Sequence, residues 1–168
     1  PHGNYNRVML SPVLAGERPF EETLIHTQAW YQQHGVTLLA GETALKLDLA
    51  TRRLETDRRE LSWDRLVFAT GSRPRLPAIA GVDRPQVFGF RSKADVDALL
   101  AGTGPVVVLG GGFLGIEAAA ALRAQGREVT LLHHKSWLLD RQLDAQAGAL
   151  LLAQLTSRGL HVVLNSGL

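Results

Sequence analysis

The chain has 168 residues, 45% hydrophobic and 20% charged, with a mean hydropathy of +0.01; this is the composition of a folded globule of one ordinary domain or two small ones, and it excludes a disordered scaffold. No apolar run approaches the roughly 20 residues of a membrane span, and the opening Pro1-His2-Gly3-Asn4-Tyr5 lacks the basic and apolar regions of a secretory leader, so a cytoplasmic location is expected. A net charge of +2, with the densest basic stretch (Arg52-Arg53 to Arg58-Arg59) broken by Glu55, Asp57 and Glu60, gives no support to nucleic-acid binding; the absence of cysteine excludes disulfide, thiol and cysteine-metal chemistry, so any electron chemistry must come from a bound cofactor.

In chain order, Asn4 to Ala15 has turn formers and no clear period, and reads as an ordered loop. Thr27 to His34 reads as a helix carrying Trp30 and Tyr31, with Gly35 placed to end it in a left-handed conformation. Val36 to Ala40 is expected to be a strand. Leu45, Leu47 and Leu49 alternate with Lys46 and Asp48, the period of a strand with one wet face, and Leu54 and Leu61 to Trp63 supply two partners for a small antiparallel sheet. Leu66-Val67-Phe68-Ala69 is an unbroken apolar run of the kind that forms a buried parallel strand.

Pro74, Pro77, Gly81 and Pro85 mark a connector, after which Ser92-Lys93-Ala94-Asp95 has the spacing of a capping box and opens a helix to about Leu100. Gly102-Thr103-Gly104-Pro105 is the clearest boundary. Beyond it the order is β-α-β-α-β: Val106 to Leu109, a helix through Ala118 to Leu122, Val129 to Leu132, a helix from about Asp144 to Ser157, and Leu160 to Leu164. That alternation predicts a parallel sheet flanked by helices.

The sharpest chemical signal is Val106-Val107-Val108-Leu109-Gly110-Gly111-Gly112-Phe113-Leu114-Gly115-Ile116-Glu117. A glycine pattern alone is weak, but this one follows an apolar strand, opens a helix and continues into a second strand. Gly110 permits the tight turn, Gly112 lets backbone approach a pyrophosphate, and Gly115 lets helix and strand pack closely. The phosphates would rest on the free amides and positive end of the helix. A ligand-free glycine turn is the bland alternative.

The acidic residue that holds the adenosine ribose in such sites falls about 20 residues on, and here that place is His133. His133-His134-Lys135 carries no carboxylate, so the simple rule for NAD is not met and Lys135 could instead attract a 2′-phosphate. A metal site at the adjacent histidines is disfavoured, because strand neighbours point to opposite faces; a solvent-exposed strand end accounts for them. Glu117, read as lying in the first turn of the helix, is explained either by the helix dipole or by a place at the nicotinamide end of the cofactor.

Four motifs in order resemble the FAD-dependent pyridine nucleotide-disulfide oxidoreductases, flavoproteins with two dinucleotide-binding domains. Tyr5-Asn6-Arg7-Val8-Met9-Leu10-Ser11 resembles the loop after the first flavin-binding unit, Leu66 to Ser72 the Ala-Thr-Gly signature beside the flavin, and Gly110 to Glu117 the pyridine-nucleotide fingerprint. The fourth, Leu138-Leu139-Asp140-Arg141-Gln142-Leu143-Asp144, is most similar to the large subunit of NAD(P)H-dependent nitrite reductases, where a histidine often stands at the place of His133. Relatives that reduce rubredoxin or ferredoxin carry a lysine after the serine of the first motif; Pro12 stands here, which favours the nitrite reductase branch.

The resemblance implies hydride transfer from NAD(P)H to FAD and then single electrons to a further acceptor, in nitrogen assimilation. Arg7 would contact the flavin, the backbone near Thr43 and Ala44 its adenine, and Ala69, Thr70 and Gly71 would line it; Gly110, Gly112, Phe113, Leu114 and Gly115 would hold the nicotinamide cofactor, with Glu117 and His133 beside it. No side chain is an evident acid, base or nucleophile, so no catalytic residue is assigned. The expected fold is α/β with Rossmann-like parallel sheets: a partial FAD-binding domain at 1–104 containing the antiparallel insertion, and the first half of an NAD(P)-binding domain at 105–168. The family's first βαβ unit, of roughly 30 residues, would precede Pro1, so the chain is expected to be a piece of a larger flavoprotein. Its partners would be the two cofactors and a downstream acceptor domain or protein bearing sirohaem and an iron-sulfur centre, with a homodimer open. The alternative from another class is a non-catalytic dinucleotide-binding or assembly module.

Overall fold

A computed structural model describes residues 3–166. Its helices are α1 (Leu10–Leu14), α2 (Gln28–Gln33), α3 (Lys93–Ala101), α4 (Phe113–Ala124) and α5 (Ala145–Ser157); its strands are β1 (Ala44–Asp48), β2 (Arg53–Thr56), β3 (Glu60–Ser62), β4 (Val106–Leu109), β5 (Val129–Leu132) and β6 (His161–Val163). Residues 3–6 and 24–73 form one compact unit, residues 7–23 and 74–166 a second. Among the described residues no helix is long and apolar enough to cross a membrane.

In the first unit β1, β2 and β3 form an antiparallel meander in which Leu47 lies opposite Leu54 and Leu54 opposite Leu61. Cross-strand leucines at one level give the sheet its apolar stripe. A register shift between Ala44 and Lys46 takes Leu45 out of the ladder, and Leu45 and Leu49 are exposed. The first turn is held by the Asp48 carboxylate, which accepts from the amides of Ala50 and Thr51 at 2.9 and 3.0 Å. Arg53 pairs with Glu60 across the second hairpin at 2.6 Å, so this charged stretch is a solvated hairpin. Thr27 caps α2 by accepting the Trp30 amide, and Gly35, at φ +65°, follows its end.

Two expected strands of this unit do not form. Residues 36–40 and 66–69 pair with no strand among the described residues, and Val67 and Phe68 are 84% and 73% exposed. A strand needs a neighbour to take its backbone hydrogen bonds, so neither run becomes the strand expected, and 66–69 is not the buried element its composition suggested.

In the second unit the segment expected to be a loop is helical from Arg7 to Leu14, a 3-10 turn leading into α1. Leu10 and Leu14, one turn apart, are buried, and Pro12 sits where its missing N–H costs nothing. Helix α1 packs on α3 and α4. Helix α3 opens with the expected capping box: Ser92 accepts the Asp95 amide and the Asp95 side chain accepts the Ser92 amide. The guanidinium of Arg127 donates to the carbonyls of Gly102 and Gly104 at 2.7 and 2.8 Å, pinning the boundary segment.

Strands β4, β5 and β6 form a parallel sheet in that order, with Leu109 level with Leu132 and Leu132 with Val163. This is the predicted β-α-β-α-β run. Val129 and Leu131 are buried, as are Ala118, Ala119, Ala121 and Leu122 of α4, which packs on β5. The alternate positions Val107 and Leu109 stay exposed, so the sheet has one covered and one open face.

Candidate functional site

The site is built where β4 turns into α4. Gly110 takes φ +108°, a conformation that side chains disfavour, while its amide donates to the Leu132 carbonyl at 2.8 Å. Gly112 then caps α4 with no side-chain hydrogen bond to the first-turn amides, which leaves them free for an external acceptor. At Gly110 and Gly112 an added Cβ would meet nothing within 4 Å, whereas at Gly115 it would collide with the Gly110 carbonyl. Thus two glycines border open space, and the third lets the helix lie against the turn.

Gly111, which the spacing rule passes over, has a different task. Its amide donates to His133 Nδ1 at 3.1 Å, its carbonyl accepts the Leu139 amide at 2.9 Å, and its missing Cβ makes room for the His133 ring and Leu138. The run of three consecutive glycines was its signal in the sequence. Phe113 and Leu114, on the first turn of α4, are 58% and 59% exposed beside the open side of the loop. A pocket of about 280 Å³ lies next to it, lined by Leu109, Gly110, Leu132, His134 and Ser166.

His133 is not the exposed strand end expected: its ring is 5% exposed and lies beneath the glycine loop. The Asp140 carboxylate is 3.2 Å from Nε2 but not aligned as a hydrogen-bond acceptor, so Nε2 is buried without one. His134 and Lys135 are the exposed members of the trio. Glu117 is the fifth residue of α4, beyond the first turn, which removes the helix-dipole explanation. Its Oε2 instead accepts the Ser11 hydroxyl of α1 at 2.5 Å.

The residues expected around a flavin fall into both units. Arg7 is exposed in the 3-10 turn of the second. In the first, the Thr43 amide donates to Asp57 and its carbonyl accepts the Asp57 amide, Ala44 opens β1, and Ala69, Thr70 and Gly71 lie in an exposed irregular stretch.

A parallel β-α-β-α-β sheet with an uncapped, glycine-flanked helix N-terminus defines a dinucleotide-binding protein. Residues 2–168 match the family described as pyridine nucleotide-disulphide oxidoreductase, and the chain belongs to it. It is 40% identical over 168 residues to the assimilatory nitrate reductase electron transfer subunit of Bacillus subtilis (strain 168), covering 98% of this chain and 22% of that protein. To the nitrite reductase [NAD(P)H] of the same organism it is 38% identical, covering 98% and 21%. An NAD-dependent persulfide reductase from A. fulgidus has a similar structure, with a TM-score of 0.88 at 25% identity, covering 99% of this chain and 33% of that one. The chain therefore spans about a fifth of the length of these curated relatives. FAD and NAD(P)H are the cofactors of this family. Since the chain has no cysteine, the disulfide of the family's name has no counterpart in these residues.

Proposed function

We propose that this chain is the electron-input part of a flavoprotein oxidoreductase that takes hydride from NAD(P)H onto FAD and serves nitrite reduction. The observation that carries the reading is the cradle at Gly110–Gly115: open space at two glycines, a third against the strand turn, and no side chain capping α4. A pyrophosphate fits it, because its oxygens can reach the first-turn amides. Phe113 and Leu114 would flank that contact. Glu117, fixed by Ser11, would face the nicotinamide end. FAD, when bound, supplies the change from two-electron to one-electron transfer; Arg7, Thr43, Ala44, Ala69, Thr70 and Gly71 are the residues proposed to hold it. In domain terms, 1–104 would be the partial flavin domain and 105–168 the first half of the nicotinamide domain.

The acceptor proposed is a sirohaem and iron-sulfur centre elsewhere in the parent protein, in the cytoplasm where NAD(P)H is available; a homodimer is compatible with this reading. The likeness to an assimilatory nitrate reductase electron transfer subunit and to a nitrite reductase favours it. Anaerobic titration of the full-length protein with NADH and with NADPH tests it: the flavin absorbance should bleach, and nitrite should restore it. A folded, colourless protein overturns the reading. Bleaching that nitrite does not reverse removes the nitrite role and keeps the reductase. Dinucleotide binding with no bleaching identifies a binding module instead.

A further inference from the structure

We propose that His133 is a positioning residue for the pyrophosphate loop rather than a ribose contact. The proposal rests on the nucleotide-binding reading above and deepens it. An amide can only donate, so Nδ1 of His133 must be the acceptor for Gly111. The proton of the neutral ring then sits on Nε2, on the side of the Asp140 carboxylate, which favours that tautomer electrostatically. The ring is also locked through its own backbone: the His133 amide donates to the Val163 carbonyl at 2.8 Å, and its carbonyl accepts the Ser166 amide at 3.1 Å.

Gly111 is held on both sides, by the imidazole at its amide and by the Leu139 amide at its carbonyl. With the middle of the loop fixed, Gly110 and Gly112 keep their open sides outward. The turn that supplies Leu138, Leu139 and Asp140 is therefore part of the same device, with Leu138 fully buried against Gly111 and Leu139 at φ +53°. Because the ring at the usual acidic position is turned inward, no carboxylate from that position reaches the adenosine ribose. The pocket beside Gly110 is lined instead by His134 and Ser166. His133 should thus serve NADH and NADPH alike.

The test uses the full-length flavoprotein with His133→Leu, which removes the acceptor, and His133→Asn, whose Oδ1 can replace Nδ1. An unsatisfied buried amide is expected to raise KM for both dinucleotides about tenfold. The NADH-to-NADPH preference, kcat and flavin content should stay unchanged, and His133→Asn should recover most of the loss. A changed preference would reveal a direct ribose contact and overturn the proposal, as would an unchanged KM. Should His133→Leu not fold, the ¹⁵N spectrum of the wild-type imidazole decides: a bare Nδ1 and a protonated Nε2 support the clamp, and the opposite tautomer overturns it. Failure of the nucleotide-binding reading looks different, because the wild-type protein would then bind neither dinucleotide.

Discussion

The runs Val106–Leu109 and Leu66–Ala69 are alike in composition, and each leads into a glycine turn, yet only the first is a strand. Val106 to Leu109 lies in register with Val129 to Leu132. Among the described residues Leu66 to Ala69 has no such neighbour, and its central side chains are more than 70% exposed. Hydrophobic residues state what a segment would bury; a partner strand decides whether it does. The same contrast separates the two halves of the expected chemistry, since the glycine cradle stands on a paired strand and the Ala-Thr-Gly segment does not.

The strongest way to break this comparison is to delete one apolar side chain from the parallel sheet and one from residues 66–69. Leu131→Ala in β5, at 0% exposure, should cost about 2–5 kcal/mol in urea unfolding. Val67→Ala, at 84% exposure, should change stability by less than about 0.5 kcal/mol; equal effects would mean that residues 66–69 are buried in the folded chain. A second substitution sharpens the role of the turn. Gly115→Ala drives a methyl into the Gly110 carbonyl, so a loss of about 1–3 kcal/mol is expected, together with loss of dinucleotide binding by calorimetry. Retained binding would show that the turn can yield.

Smaller effects probe the supports. Asp144 caps α5 by accepting the Ala147 amide at 2.8 Å, and Asp144→Ala should cost about 1 kcal/mol, read from the same unfolding curve. In the meander, the amide of Thr51, followed by its side chain and the amide of Ala50, holds the Asp48 carboxyl below its ordinary 3.8. A lowered folded pKa gives a contribution present above that ordinary value and lost as pH falls through the lower folded value. Proton titration by NMR should accordingly place the Asp48 midpoint below 3.8; a midpoint at or above it would mean that the turn is open in solution.

Local signals made much of this fold legible. Ser92 and Asp95 announced α3, alternation announced β1, and the β-α-β-α-β spacing with Gly110, Gly112 and Gly115 announced the strand, turn and helix on which the proposed site stands. Helix α1 was hidden because five residues are too few to display a helical period. The position of His133 was legible but its direction was not. What turns it inward is Gly111 above it and the turn at Leu138–Asp140, brought back against the loop by tertiary packing.

Residues 7–23 join a unit whose remainder begins only at Pro74. During synthesis, Leu10 and Leu14 have no α4 to pack against until more than a hundred further residues have been made. The meander between them is built from local hairpins and can close as soon as it leaves the ribosome. Residues 7–23 therefore wait for the rest of their unit, and Leu10 and Leu14 stay uncovered on the nascent chain until it arrives.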